Sequence, residues 1–542
     1  MLTGIACGAA LAASASGTRT SHASSSAYVP ANLLAAARTS PDRTFRVILQ
    51  GARAVPAVRQ SGATLERRLN TISGASAAVT GRQLVGLAST SGVAAITPDR
   101  PMRLTDAGNE DSSSFSSGQL WPYAVKAQRE WHKVTNGKLP TSPAIAVVDS
   151  GVQANRADFG NGAAVLAQVS MVDTGTQNSP GDGYGHGTFV ASIAAGRADG
   201  YAGTSPSAPI VSIDVLDDQG MGLTSDVIAA CDWIVQNKAK YNIKVANFSL
   251  QSTAPASVFW DPLDKAVEKL WFDGVTVVTS SGNYAVDGHP SGVLYGPGND
   301  PFVITVGADD LEGTLGPHDD QAAPWSAYGY TYDGFAKPEL SAPGRYLVGA
   351  VPANSTLPAE RAESVVAPGY MELSGTSFAS PVVAGAAAYL LALNPKWTPD
   401  QVKGALMLAA RPEPSAAPLS AGVGLVDLGT AGEVDSPPNP NLALDRFVHG
   451  GAFDTAAWQA AAVKNPNWDA ASWDAKLWKS AAWGSAAWGS AAWGSAAWGS
   501  AAWGSAAWGS SALAQFLTSS RAAWGSAAWG SAAIADVPHD AP

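Results

Sequence analysis

Between Leu120 and Gly432 the chain repeats one pattern, a short unbroken apolar run followed by a longer stretch with helical spacing. The runs are AIAVVD (144–149), IVSIDVL (210–216), KVANFSL (244–250), GVTVVTS (274–280) and FVITVGA (302–308). Apolar runs without alternation are strands buried on both faces, and helices between them imply parallel pairing. The pattern predicts an α/β fold with a mostly parallel central sheet covered by helices on both faces. A smaller α/β unit precedes it at 44–103. There TFRVILQ reads as a strand, GATLERRLNTI as a helix, and SAAVTGRQLVGLASTSGVAAITPDR as strand, helix and strand.

Two polar stretches divide the chain. Residues 104–119, centred on DAGNEDSSSFSSGQ, read as an exposed, cleavable linker, and 433–457, which includes DSPPNPN, as a second one. From 458 to 542 the pattern changes. AAWGS occurs six times without a break from 481 to 510 and twice more at 522–531, and Trp458, Trp468, Trp473 and Trp478 already keep its phase. A period of five suits neither a helix face nor a strand face. The tail is either a flexible low-complexity segment or a stacked coil that buries tryptophan ladders.

Composition narrows the partners. With 33 Lys+Arg against 44 Asp+Glu the 542-residue chain carries a net charge of −11, and no basic run interrupts it. Nucleic acid and anionic membrane surfaces are therefore excluded as main partners. Residues 1–25 begin with MLTGIACGAALAASAS, an apolar leader with an Ala-x-Ala-like exit but no basic residue before Arg19. It reads as an export signal, so the protein is expected to be secreted. No later stretch reads as a transmembrane anchor. Of two cysteines, Cys7 lies in that leader, and Cys231, on the apolar face of a helical stretch, reads as a buried inert thiol.

Candidate chemistry sits where strands and helices end. Ser377 stands in ELSGTSFASPVVAGAAAYLLALNP, just after a glycine turn and at the start of a long apolar helix; taken alone it is a helix cap. Asp149 closes the run AIAVVD, at the strand end where parallel sheets place ligands, or else forms a turn. His186 opens a small-residue helix between two glycines, and Asn283 follows the strand before SSGN. Together the four meet one need. A serine hydroxyl becomes nucleophilic when an imidazole takes its proton. The imidazole needs a carboxylate to orient it, and the oxyanion formed on the substrate needs donors, here the Asn283 amide and the Ser377 N–H.

At these residues the chain resembles the subtilisin-like serine proteases. Asp149-Ser150-Gly151, Gly185-His186-Gly187-Thr188, Ser281-Gly282-Asn283 and Gly375-Thr376-Ser377-Phe378-Ala379-Ser380-Pro381 are similar to that family's aspartate, histidine, oxyanion and serine motifs. KPELSAPG (337–344) and GVGLVDL (422–428) extend the likeness. The resemblance implies a catalytic domain at 120–432 and an inhibitory propeptide at 44–103. The whole would be an autoprocessed zymogen that cleaves polypeptides broadly, with an apolar preference before the cut. It also implies that Gly220, Met221 and Gly222 on one side, and Ser249 and Leu250 with Ser281 and Gly282 on the other, bind the substrate backbone.

Phe189 and Val382 stand where the family commonly has further histidines, outside the triad. Asp158 resembles a calcium ligand of the family, but one carboxylate makes no cage, so calcium has no assigned residues and the chemistry needs no cofactor. An alternative reading makes the tryptophan tail the main function, with cell-wall or self-association and proteolysis confined to maturation. If His186 is the general base, kcat/KM should rise as the imidazole loses its proton, with a neutral-to-alkaline optimum. A flat kcat/KM between about pH 5 and 8 would contradict that role.

Overall fold

The structure, a computed structural model, describes residues 27–104, 119–131, 141–316 and 318–464. The expected export signal, the linker at 105–118 and the repeats beyond 464 lie outside the described residues.

The first unit is a four-stranded sheet in the order β2-β3-β1-β4, built from β1 (Thr44–Gln50), β2 (Thr64–Leu69), β3 (Gly74–Thr80) and β4 (Ala95–Pro98). Helices Ala31–Thr39, Ala54–Gln60 and Gly81–Leu87 complete it around a core that includes Val47, Leu49, Val79 and Leu84. The segment GATLERRLNTI is corrected here. Its Leu65 and Leu69 have helical spacing, yet Thr64–Leu69 pairs antiparallel with β3 and alternates in exposure. Cross-strand pairing overrides local propensity.

A fifth strand, β5 (Pro101–Leu104), leaves this unit and enters the large one. There the five apolar runs become β6 (Ala144–Asp149), β8 (Ile210–Asp214), β10 (Ile243–Phe248), β12 (Thr276–Ser280) and β13 (Ile304–Asp310). They lie side by side in the order β13-β12-β10-β6-β8, all parallel, and β7 (Val165–Ser170) extends the sheet beyond β8. A two-residue antiparallel strand, Gln321–Ala322, and the parallel strand Leu340–Pro343 pair with β13. Every residue of β6 is buried, as expected of a central strand with helices on each face. The helix His186–Ala195 packs along the helix Thr376–Leu393, and Thr224–Tyr241 along Pro262–Phe272.

The helix Thr376–Leu393 is long and apolar enough to cross a membrane by length and composition alone, which the sequence reading had not found in any stretch. It is a core helix, with 89% of that window buried.

The linker expected at 433–457 is also corrected. Asn441 is fully buried and donates to Phe302 O (3.0 Å) and Asp400 Oδ1 (2.8 Å), while accepting from the Lys403 ammonium (3.1 Å). Lys403 also donates to Pro301 O, Phe302 O, Val303 O and Glu339 Oε1, the last at 2.8 Å, and Lys337 reaches the same Glu339 oxygen at 2.8 Å. Burial lowers Lys337 to about 8, and the two ammoniums hold Glu339 low against the opposing effect of burial. Paired in this way, the three buried charges staple the segment to the sheet.

The chain then turns into the helix Thr455–Lys464, where Trp458 is completely buried against Phe259 (5.3 Å between ring centroids) and Phe335 (5.4 Å). The first tryptophan of the five-residue phase is thus part of the main core. In a Ser377→Ala background, which prevents self-digestion, Trp458→Ala should cost about 3–5 kcal/mol in urea unfolding; a loss below about 1 kcal/mol would contradict this packing.

Candidate active site

Of the four expected residues, Asp149 and His186 touch directly, Asn283 bonds Thr376, the neighbour of Ser377, and Ser377 is followed by Phe378, whose ring lies 5.2 Å from the imidazole. Asp149 is the last residue of β6 and is fully buried. Gly151, two residues on, has φ +97°, and a Cβ there would lie 1.9 Å from Gly181 O. His186 is the first residue of its helix, and a Cβ on the following Gly187 would stand 2.1 Å from Gly151 O. The helix start therefore lies directly on the turn after β6, which only glycine permits at both contacts. His186 Nδ1 and Asp149 Oδ1 are 2.8 Å apart, with both side chains shut off from solvent. The Phe378 ring sits 5.2 Å from the imidazole and places Ser377, one residue earlier, at the same crevice in the first turn of its helix.

Asn283 is held from the serine side. Its Oδ1 accepts from Thr376 N and Thr376 Oγ1, both at 2.9 Å, while Thr376 Oγ1 accepts from Gly282 N (3.1 Å). This fixes the amide. The oxygen is committed to Thr376, next to Ser377. Ser377 stands in the first turn of its helix, where backbone N–H groups lack intrahelical partners.

A residue that sequence reasoning missed supports the pair. Asp182, buried, accepts from Ser150 Oγ (2.9 Å), Gly185 N (2.6 Å), Thr188 N (2.8 Å) and Thr188 Oγ1 (2.5 Å). Ser150 Oγ in turn accepts from Gly187 N (2.9 Å). One carboxylate thus ties the turn bearing Asp149 to the helix bearing His186. Burial pushes Asp182 up to about 7 in spite of its four donors. In GDGYGHG it reads as a turn aspartate, so no sequence signal distinguished it.

Beside the crevice runs a groove with a strand in it. β9 (Met221–Leu223) and β11 (Leu250–Ser252) flank β5 in a three-stranded antiparallel sheet. Leu104 stands opposite Leu250 and Met102 opposite Ser252 on one side; Pro101 faces Leu223 and Arg103 faces Met221 on the other. The expected groove residues Gly220, Met221, Gly222, Ser249 and Leu250 accordingly lie in or beside these two strands. Ser249 also reaches the serine helix, its Oγ donating to Ser377 O (2.7 Å), and Ser377 Oγ lies 3.4 Å from Ser249 O. Ser281 and Gly282 form the turn that carries Asn283, with Ser281 N bonded to Val306 O (3.0 Å).

Where the expected family histidines are replaced, Phe189 packs 4.4 Å from Phe378 and Val382 is fully buried. Asp158 does not fit a cation site: Arg156 Nε pairs with it at 3.1 Å and the Tyr370 hydroxyl donates to it at 2.9 Å. Among the described residues no group of three acidic, histidine or cysteine side chains is placed to hold a metal. Cys231 is fully buried, which pushes its thiol well above the ordinary range.

Comparison with known proteins places this geometry. Residues 141–438, more than half of the chain, match the subtilase (peptidase S8) family. The chain belongs to the subtilase family. It is 34% identical over 291 residues to serine protease AprX of Bacillus subtilis, an alignment covering 52% of this chain and 64% of AprX. It is 32% identical over 299 residues to subtilisin amylosacchariticus, also of Bacillus subtilis, covering 55% of this chain and 68% of that one. Fervidolysin of Fervidobacterium pennivorans, a keratinolytic enzyme related to subtilisin, shares the fold at a TM-score of 0.55 and 22% identity. That match covers 73% of this chain and 62% of fervidolysin, so the chain spans just under two thirds of both AprX and fervidolysin.

Because folding raises Asp182 from 3.8 to about 7, the folded protein keeps a proton there that the unfolded chain has lost. Stability falls as pH rises through that window. Asp182→Asn should flatten this part of the stability–pH curve and lower kcat about tenfold or more, as two of four donors lose their acceptor. An unchanged kcat would mean Asp182 does not hold the pair.

Proposed function

We propose that this subtilase is a secreted serine endopeptidase made as an autoprocessed zymogen. The buried 2.8 Å contact between Asp149 and His186, with the imidazole 5.2 Å from the Phe378 ring next to Ser377, is the observation that carries this reading. Ser377 Oγ attacks the scissile carbonyl carbon as its proton passes to His186 Nε2. Asp149 stays ionised, holds the Nδ1–H tautomer and stabilises the imidazolium. Negative charge moves onto the carbonyl oxygen, where the Asn283 NH₂ and the Ser377 N–H receive it. Collapse breaks the C–N bond, the amine leaves with the proton from His186, and water repeats the sequence to free Ser377.

The groove explains breadth. An extended peptide completes a sheet between β9 and β11 through main-chain hydrogen bonds, which do not read side chains. An apolar preference at the residue before the cut remains our expectation. The first unit acts as the inhibitor, since β5 fills that groove. Several contacts hold it there: Arg67 pairs with Asp226 (3.2 Å), Asp232 accepts from Asn70 N and Thr71 N, and Asp99 accepts from Ser225 N (3.0 Å). Secretion fits the apolar leader and the low charged fraction of 14%.

The unaltered protein should release a mature form beginning within residues 105–119, read by mass spectrometry, while Ser377→Ala stays whole. Its casein hydrolysis should fall about 10⁶-fold, the scale measured for the serine of subtilisin itself. Asn283→Ala should lower kcat about 10²–10³-fold, again the subtilisin scale. Equal processing and equal casein cleavage by the Ser377→Ala protein would overturn the proposal.

A further inference from the structure

The residue just before β5 does something that main-chain pairing does not require. Arg100 reaches across to the loop after β11, where its Nη1 donates to Ala254 O and Pro255 O, both at 3.2 Å. Pro255 and Arg100 line a recess of about 380 Å³ together with Trp260, Asp261 and Tyr332. Asp261 is buried, and its Oδ1 caps the helix Pro262–Phe272 by accepting from Leu263 N (2.7 Å) and Asp264 N (3.4 Å). Burial pushes its carboxyl up and the Arg100 guanidinium pulls it down, so the two feel each other's charge. Tyr28 covers the Trp260 ring, stacked at 4.4 Å and 11°.

One wall of the recess comes from the first unit, through Tyr28, Pro30, Thr97, Pro98 and Arg100. Tyr28 and Arg100 both precede Leu104, whereas the carbonyls, Asp261, Trp260 and Tyr332 belong to the large unit. When the first unit leaves, two backbone acceptors, a buried carboxylate and the Trp260 face under Tyr28 become accessible at the upstream end of the groove, beside the already exposed Tyr332. Each of these features favours a cation over a neutral side chain: carbonyls and carboxylate accept its protons, and aromatic faces attract its charge.

We propose that this recess is a selective subsite for an arginine or lysine side chain of a polypeptide substrate, four residues upstream of the position that Leu104 occupies. The inference rests on reading β5 as lying where a substrate lies. It makes the enzyme broad near the cut and selective farther out. Arginine should be preferred to lysine, since one planar guanidinium serves both carbonyls.

The test uses the processed enzyme and the decapeptide Pro-Asp-Arg-Pro-Met-Arg-Leu-Thr-Asp-Ala, the sequence of residues 98–107. Its third residue is replaced in turn by Lys, Gln and Glu. We expect kcat/KM to fall about tenfold from Arg to Gln, with Lys between them and Glu lowest. The cut position, followed by mass spectrometry, should stay the same across the series. The Asp261→Asn enzyme keeps a capping oxygen and loses the charge, so its Arg-to-Gln ratio should shrink several-fold. Rates within twofold across the four peptides would overturn the subsite and leave the protease reading intact. An unchanged ratio in Asp261→Asn would contradict the part given to its charge. Cleavage of casein but of none of the four peptides would show that β5 does not mark the substrate path and would end the inference with it. Failure on casein as well would end the protease reading itself.

Discussion

A carboxylate and an imidazole held 2.8 Å apart with no access to water constrain everything around them. A buried carboxylate without a partner is costly, so Asp149 and His186 stabilise one another's placement, and the surrounding chain has to let them meet. β6 delivers Asp149 at its carboxyl end, and two glycines remove the Cβ atoms that would push away the histidine helix and the loop leading into it. Asp182 then ties the turn after β6 to the histidine helix by accepting four hydrogen bonds. The serine helix adds Ser377 from nearly two hundred residues away along the chain, while its Thr376 fixes the amide of Asn283.

The second constraint is the open groove. β9 and β11 are short strands whose facing edges carry backbone donors and acceptors that only another strand can satisfy fully. β5 meets that demand, and the rest of the first unit anchors it. Asp99 accepts from Ser225 N and Oγ at the start of the helix Thr224–Tyr241, a capping role supplied from outside the helix's own segment. The same unit therefore occupies the groove, completes a helix end and covers Trp260. These contacts account for the close seating of the first unit against the large one.

Much of this was legible in the sequence for a physical reason. Five strands buried on both faces leave unbroken Val/Ile runs, and the sheet joins those five as neighbours. Asp149, His186, Asn283 and Ser377 are each flanked by residues that tight junctions need, so local sequence marks them. What stayed hidden depends on partners distant along the chain. Lys403 looks like an ordinary helix lysine until Glu339 and Asn441 surround it, and Asp182 looks like a turn residue until Ser150 and Thr188 donate to it. Leu65 and Leu69 mimic a helix because their spacing is four, and only pairing with β3 decides otherwise. Trp458 shares the phase of the repeats that follow it, and only Phe259 and Phe335, distant along the chain, place it in the core.

The central claim is that one serine among many is activated by this buried pair. The direct measurement is to treat the processed protein with a fluorophosphonate and map the adduct by peptide mass spectrometry. The account predicts a single stoichiometric adduct on Ser377, absent when His186 is replaced by alanine. An unmodified Ser377 in protein freed of its first unit, or equal labelling with and without His186, would contradict it.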